Sequence, residues 1–192
     1  MTGHAETGRR VEPRRPDRAD VAAAAGRTLR DVLAPRLRVA FVGINPGLYS
    51  AAAGHHFARP GNRFWKALHG AGFTPRLLDP SEDGEVVRFG LGLTNMVPRA
   101  TAGADELSSS ELREGVRALE RKVRRFAPAY VAVLGIGAYR TAFGRPRAVE
   151  GRQPDPLGPA AVWLLPNPSG LNAHHQVPAL VERFAALRAV AG

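Results

Sequence analysis

Two Asn-Pro turns, each directly after an apolar segment, constrain the fold of this chain more than any other feature. The first occupies residues 43–47 (GINPG) after the apolar run 37–42, and the second occupies residues 167–172 (NPSGLN). A proline disfavours the α region for the residue before it, and glycine permits close backbone approach, so each asparagine is held outside the strand ladder. Parallel sheets bind ligands at the carboxyl ends of their strands. The two turns are therefore predicted to flank one active site.

Length and composition indicate one domain with a sizeable core. The chain has 192 residues, of which 44% are hydrophobic, and single domains usually have about 50 to 250 residues. The absence of cysteine excludes disulfides, thiolate zinc sites and cysteine-ligated iron–sulfur clusters. No apolar segment approaches the ~18 residues needed to cross a bilayer, and the arginine-rich start lacks the apolar core of a secretory signal. We therefore expect a protein that is cytoplasmic or otherwise intracellular, with no membrane partner.

The charge balance favours a polyanionic partner. The chain carries 27 Lys and Arg against 17 Asp and Glu, a formal net charge of +10. Nearly all of the cations are arginine, whose planar guanidinium group binds phosphate through paired hydrogen-bond donors. Residues 1–18 combine arginines and prolines without apolar periodicity, so they are predicted to be a disordered basic tail ahead of a single domain at residues 19–192.

Hydrophobic periodicity predicts strands that alternate with helices. The clearest signal is a capping box from Ser108 to Glu111, which precedes an apolar helical face and predicts a helix that ends before Pro128. Further helices are predicted at residues 20–33, 62–70, 138–143 and 177–190, and strands at 37–42, 90–95, 130–134 and 162–165. This alternation predicts an α/β fold with a mostly parallel sheet, right-handed crossovers and helices on both faces.

Several motifs that would indicate other chemistry fail on inspection. The turn at residues 135–137 (GIG) follows a predicted strand, but a dinucleotide fingerprint requires a small residue where the chain has Arg140. Ser169 lacks the flanking glycines of a nucleophile elbow. The histidine pairs 55–56 and 174–175 are adjacent residues on loops without a carboxylate motif, so they are predicted to hydrogen-bond phosphate or substrate and not to bind metal.

A set of motifs in a fixed order gives the chain a family resemblance. They are residues 43–48 (GINPGL), 54–57 (GHHF), 60–66 (PGNRFWK), 92–97 (GLTNMV) and 167–171 (NPSGL). With these motifs the chain resembles the mismatch-specific uracil-DNA glycosylases, in the branch that includes the thymine-DNA glycosylases. The resemblance runs from about Val32 to the C-terminus. It implies a three-layer fold with a short, mostly parallel central sheet flanked by helices, and a DNA-repair hydrolase that cleaves the N-glycosidic bond of a base mispaired with guanine.

The resemblance implies roles for individual residues. Asn45 would be the catalytic residue, and since an amide cannot ionise into a base at neutral pH, it would position the water by hydrogen bonds. Phe57 would stack on the flipped base, and the backbone amides of Ile44 and Phe57 would meet the pyrimidine oxygens. Asn95 would read the base edge. Asn62 would either do the same or cap the helix that follows it.

Two more residues are assigned to the base-binding group, His56 and Ser50. The resemblance places Ser50 on the pocket wall near the 5-position of the pyrimidine, where thymine-acting relatives carry an alanine. A hydroxyl that loses its solvation there without gaining a partner would cost ~1 to 3 kcal/mol and would crowd the thymine methyl group. Uracil is therefore expected to be strongly preferred over thymine opposite guanine.

The second Asn-Pro turn is predicted to contact the DNA around the flipped nucleotide. A base that flips out leaves an empty space in the duplex, and proteins commonly fill that space by inserting an apolar side chain, called a wedge. Leu171 resembles the residue that does this in the family. The backbone of the loop would face the guanine that is left unpaired when its partner flips out. The predicted contact residues are Asn167, Ser169, Gly170, Leu171 and Asn172. Relatives place an arginine shortly after the wedge, whereas this chain has Ala173 followed by two histidines.

Two other function classes stay open from the residues. A non-catalytic nucleic-acid-binding module would explain the charge and the wedge loop, but it does not require Asn45 in a glycine-flanked pocket. A doubly wound nucleotide-binding enzyme would explain the sheet, but the chain lacks a phosphate loop. The predicted partner is double-stranded DNA that contains a G·U or G·T mismatch, and through this DNA a cytoplasmic protein of bacterial type is expected to be associated with the nucleoid. No cofactor or metal is predicted, and the protein is expected to be a monomer.

Overall fold

The computed structural model describes residues 15–170 and 176–192, and a five-stranded sheet forms its centre. The strand order is β2-β1-β3-β5-β4, and every neighbouring pair is parallel except the short edge strand β4, which is antiparallel to β5. The strands are β1 Val39–Gly43, β2 Leu91–Asn95, β3 Tyr130–Leu134, β4 Gly151–Arg152 and β5 Ala161–Leu165. This arrangement confirms the predicted, mostly parallel sheet.

Helices cover both faces of the sheet. The α-helices are α1 Arg18–Ala22, α2 Leu48–Ala53, α3 Phe64–Gly70, α4 Ser109–Phe126, α5 Ile136–Ala142 and α6 Val177–Ala191, and two 3₁₀ segments lie at Pro80–Phe89 and Ala104–Glu106. One face of the sheet packs against α3 and α6, and the other packs against α4 and α5. The predicted three-layer α/β fold is therefore confirmed. No helix in the described ranges combines the length and the apolarity that a membrane span requires.

Alternating strand residues supply the two hydrophobic cores. Phe41 of β1 points to the α3 and α6 side, where its ring meets Phe64 and Phe73 edge-on at 5.4 Å and stacks on Phe184 at 5.6 Å. Its neighbour Val42 is fully buried in the core on the opposite side. Because successive strand side chains point to opposite faces, a strand that is buried on both faces reads as a continuous apolar run.

The capping box predicted for α4 is present. Ser108 Oγ accepts a hydrogen bond from the Glu111 amide at 3.2 Å, and the Glu111 carboxylate accepts one from the Ser108 amide at 2.9 Å. The buried side chains on the sheet-facing side are Leu112, Leu119 and Val123. The helix ends at Phe126, as the position of Pro128 predicts.

The segment between α1 and β1 differs from the sequence prediction. A helix was predicted at residues 20–33, but α1 ends at Ala22. The following backbone pairs with distant segments instead: the Gly26 amide donates to the Ala100 carbonyl oxygen at 3.0 Å, and Val32 exchanges both of its backbone bonds with Leu93. Long-range backbone pairing has overridden the helix propensity of the alanine-rich run. Residues 1–14 of the predicted tail lie outside the described residues.

Candidate active site

A cavity of about 390 Å³ opens at the carboxyl-terminal edge of the sheet, beside the last residues of β1, β2 and β3. It brings together predicted site residues that are far apart in the sequence, namely Ile44, Asn45, Ser50, His56, Phe57, Asn62, Asn95, Asn167 and Ser169. Gly170 is described but does not line the cavity. The predicted wedge Leu171 and its neighbour Asn172 lie outside the described residues. The two Asn-Pro turns thus flank one cavity, as predicted.

Two acceptors fix the orientation of the Asn45 side chain. Its Nδ2 donates to the Arg99 carbonyl oxygen at 3.1 Å and to Thr101 Oγ1 at 2.6 Å. The carbonyl can only accept, and the Thr101 hydroxyl already donates to the Gly103 carbonyl oxygen at 2.7 Å. These contacts distinguish the nitrogen of the amide from its oxygen and use both amide protons. Oδ1 remains as a hydrogen-bond acceptor on a residue that lines the cavity.

Arg99 and Thr101 were not predicted as site residues, because no motif contains them. Arg99 is anchored on α4, where Nε and Nη2 donate to the two carboxylate oxygens of Glu111 at 2.6 and 3.1 Å. These hydrogen bonds, together with the one from the Ser108 amide, lower the pKa of Glu111 to about 2. The only sequence signal for the pair is that it follows Asn95 within a short loop.

Phe57 presents an aromatic ring at the cavity. The ring stacks on Phe64 of α3 with a centroid separation of 4.0 Å and an interplanar angle of 24°. The Phe57 backbone has a φ of 54°, a left-handed conformation that is uncommon for a bulky residue. The preceding residue is held on both sides, because the His56 amide donates to Asp83 at 2.9 Å and Trp65 Nε1 donates to the His56 carbonyl oxygen at 3.2 Å. The strained conformation is therefore supported by its neighbours.

The two histidines of the first loop are bound to protein groups. His56 is only 1% exposed, and its Nε2 lies 3.0 Å from the Arg30 carbonyl oxygen, so this nitrogen carries a proton and donates. Burial lowers the pKa of His56, which makes the ring neutral at physiological pH. His55 Nδ1 lies 3.3 Å from Asp83 Oδ1. Because hydrogen bonds to protein groups hold the His56 ring in place, the ring forms a fixed part of the cavity wall.

The structure corrects one argument about Ser50. Its side chain was expected to have no hydrogen-bond partner, but Ser50 Oγ accepts a bond from the Ala58 amide at 3.1 Å. The penalty for an unsatisfied hydroxyl therefore does not apply. What remains of the prediction is steric, because the buried serine lines the cavity and occupies space there.

Two asparagines on the cavity wall differ in how their side chains are used. Asn62 Oδ1 accepts from the Phe64 amide at 2.9 Å, so its side chain binds the first amide of α3, although the N-cap residue of that helix is Arg63. Asn95 is 94% buried at the end of β2 (6% exposed), yet its amide has no hydrogen-bond partner among the described residues. The backbone amides of Ile44 and Phe57 likewise donate to no described carbonyl group. These donors and acceptors line the cavity, and among the described residues they have no hydrogen-bond partner.

The second Asn-Pro turn is fastened to the loop that precedes α3. The Arg63 amide donates to the Pro168 carbonyl oxygen at 2.9 Å, and the Arg63 guanidinium lies 3.4 Å from the Ser169 carbonyl oxygen. A Cβ on residue 170 would lie 2.6 Å from the Gly61 carbonyl oxygen, which is too close for any side chain. This position therefore favours glycine. The Ser169 amide donates to Asn167 Oδ1 at 3.0 Å, which tightens the turn itself.

Taken together, these groups suit a planar ring with hydrogen-bonding edges. An aromatic face, a carboxamide without a partner among the described residues and two backbone amides surround the cavity, and the fixed acceptor of Asn45 lies beside them. Within residues 15–170 and 176–192 there is no group of three or more His, Asp or Glu side chains that could hold a metal ion. The groups described above supply hydrogen bonding and stacking, and Asp105 adds a carboxylate to the cavity lining.

A comparison with known protein families agrees with this geometry. The model of the uracil DNA glycosylase superfamily matches residues 30–188, which include the whole sheet and all of the predicted site residues. The match spans most of the 192-residue chain. The chain therefore belongs to the uracil DNA glycosylase superfamily, whose general activity is the removal of uracil from DNA.

Proposed function

We propose that the protein removes uracil mispaired with guanine from double-stranded DNA, by flipping the nucleotide into the cavity and hydrolysing its N-glycosidic bond. The family membership supports the general reaction, and the cavity residues support the way it is carried out here. A base inside a duplex must leave the stack before its glycosidic bond can be reached. The product is an abasic site, and no covalent intermediate with the protein is required.

The orientation of Asn45 carries this proposal. With both amide protons donated to Arg99 and Thr101, Oδ1 can accept a hydrogen bond from a water and hold it against the sugar. An amide cannot take the proton of that water at neutral pH, so its contribution is position and not general-base catalysis. The reaction then depends on how easily the base departs, and slow turnover follows.

The cavity supplies the groups that assist departure. Cleavage passes through an oxocarbenium-like sugar and leaves a pyrimidine anion, which preorganised donors stabilise. The amides of Ile44 and Phe57 have no other carbonyl partner among the described residues and can donate to the pyrimidine oxygens. Phe57 offers the ring face and Asn95 the carboxamide for the base edge. Leu171 would fill the vacated space in the duplex.

Within this function, uracil should be preferred over thymine. Ser50 lines the cavity, and its hydroxyl is held by the Ala58 amide, so the side chain cannot rotate away from a thymine methyl group without losing that bond. The preference is therefore steric. Thymine opposite guanine would be a slower substrate of the same site.

Single-turnover excision on G·U, A·U and G·T duplexes tests the proposal. We expect the order G·U first and G·T last, and we expect Asn45→Ala to lower the G·U rate on the order of 100-fold or more while DNA affinity is nearly unchanged. Asn45→Asp should not restore the rate, because a carboxylate oxygen would then face the Arg99 carbonyl oxygen. Cleavage by Asn45→Ala within threefold of the wild type would contradict the mechanism. Equal rates on G·U and A·U would contradict the mismatch preference.

A further inference from the structure

One face of α4 carries a row of arginines that the excision reaction does not use. Arg113, Arg117, Arg121 and Arg125 are all exposed and follow one another at four-residue intervals. Residues four apart on a helix are surface neighbours, so the four side chains form a single row. At 1.5 Å of rise per residue, neighbours in the row are about 6 Å apart and the row is about 18 Å long.

The charge of this row is not neutralised within the described part of the chain. None of the four arginines has an ion pair or a side-chain hydrogen bond there, and the nearby Glu120 pairs instead with Arg124 at 2.6 Å. The Arg125 guanidinium lies over the Phe126 ring at 5.2 Å, a contact that leaves its charge in place. Like charges four residues apart destabilise a helix by about 0.2 to 0.5 kcal/mol per pair. An external anion is the partner that such a row fits.

The direction of α4 separates most of the row from the cavity. The helix connects the parallel strands β2 and β3, so it runs antiparallel to them, from the cavity edge of the sheet to the opposite edge. Residues 102–105, just before α4, line the cavity. Arg113 therefore lies near the cavity edge, and Arg125 lies at the far end of the molecule. We therefore expect a duplex that presents a nucleotide to the cavity to lie across the cavity edge and not along α4.

We propose that the arginine row, Arg113 to Arg125, binds the phosphate backbone of a second DNA segment while the first is held at the cavity. A B-DNA strand has one phosphate per 3.4 Å of axis, so a row of about 18 Å faces roughly five phosphates of one strand. Arginine is well suited to this contact because its guanidinium pairs with phosphate through two parallel donors. Two simultaneous contacts allow the enzyme to pass directly from one DNA segment to another during its search.

The double substitution Arg117→Gln with Arg121→Gln tests the row. Glutamine is nearly as good a helix former as arginine, and the change removes like-charge repulsion, so the variant should be at least as stable as the wild type. The matched control is Arg147→Gln with Arg152→Gln. These side chains are also exposed and have no ion pair within the described residues, so the control removes the same charge elsewhere.

The measurement is the dissociation of a labelled, undamaged duplex when unlabelled duplex is added at increasing concentration. For the wild type and the control, the dissociation rate should rise with competitor concentration, because the second segment binds before the first leaves. For the α4 variant the rate should be independent of competitor, and its salt slope of binding should be shallower by about 2. Single-turnover excision at saturating DNA should be unchanged, which separates this proposal from the excision mechanism. A competitor dependence as steep as in the wild type, or an equal loss in the control, would overturn it.

Discussion

Thr101 determines which way the Asn45 amide faces, and in the proposed mechanism it does so without touching the substrate. Its hydroxyl accepts from Asn45 Nδ2 and donates to the Gly103 carbonyl oxygen, and its own amide donates to the Pro46 carbonyl oxygen at 3.2 Å. Thr101 thus connects the loop after β2 to the first Asn-Pro turn. We call it a positioning residue, because it acts through Asn45.

Thr101→Val should lower the single-turnover rate on G·U duplexes by on the order of 10-fold to 100-fold, since the valine cannot accept from Asn45 and the amide can rotate. Thr101→Ser keeps the hydroxyl and should restore most of the rate. DNA affinity should change little in either variant. If serine and valine slow excision equally, the role of Thr101 is packing and not orientation.

Burial of His56 predicts how stability depends on pH. Its pKa is lowered in the folded protein by desolvation, from an ordinary value of about 6.5 that the unfolded chain retains. Below that pH the unfolded state binds a proton that the folded state resists, so the free energy of unfolding should fall by up to about 1.4 kcal/mol per pH unit. His56→Gln should flatten this dependence when wild type and variant are unfolded by urea in parallel between pH 7.5 and 5.5. An unchanged pH profile for His56→Gln would contradict the prediction.

At the scale of residues, sequence patterns could identify side chains that belong to local motifs. Asn45, Phe57 and Asn95 each lie in a recognisable segment, and the fold brings them to one cavity. Thr101 could not be identified, because its function depends on a contact with a residue 56 positions away. The partner of Ser50 was missed for a similar reason. A serine on a short helix gives no sign that the loop after it returns to within hydrogen-bonding distance.

The contact between α4 and the end of β2 has no space for a side chain at Gly115. A Cβ there would lie 2.7 Å from the Met96 carbonyl oxygen, and Met96 follows Asn95 directly. Gly115→Ala should therefore destabilise the protein by about 1 to 3 kcal/mol, even though alanine is the better helix former. Gly137→Ala in α5 is the matched control, because nothing lies within 4 Å of its Cβ position, and it should stabilise by up to about 1 kcal/mol. Thermal or urea unfolding of both variants gives the comparison, and stabilisation by Gly115→Ala would show that α4 can shift freely.

At the scale of elements, segments with strong local signals were predicted well. The α4 capping box and the apolar runs of β1, β2, β3 and β5 correspond to the observed elements within about two residues. The α2 helix at Leu48–Ala53 was missed, because it begins immediately after the glycine of the first Asn-Pro turn and has only six residues. The antiparallel β4 has two residues, too few for any periodicity. The helix predicted at residues 20–33 was wrong beyond α1, where β2 and the loop after it supply the backbone partners.

The charge of the whole molecule predicts a steep salt dependence of DNA binding. With a formal net charge of +10, the protein should neutralise several phosphates and release their counterions. Each phosphate contact contributes about −0.9 to the slope of log affinity against log salt, so the slope should be steeper than about −2. Fluorescence anisotropy with a short duplex over a range of salt concentrations gives this value. A shallower slope would mean fewer than three phosphate contacts and would argue against a duplex substrate.

The bond from the Arg63 amide to the Pro168 carbonyl oxygen also makes one backbone proton a reporter of how firmly the second Asn-Pro turn is attached. This amide precedes α3 and belongs to neither a strand nor the interior of a helix, so we expect its protection from exchange to depend on the bond to the second Asn-Pro turn. It can exchange with deuterium only when that turn separates from the loop before α3, an opening smaller than global unfolding. The exchange rate of this single site should therefore measure how often the second Asn-Pro turn separates from the loop before α3, with no label and no DNA present.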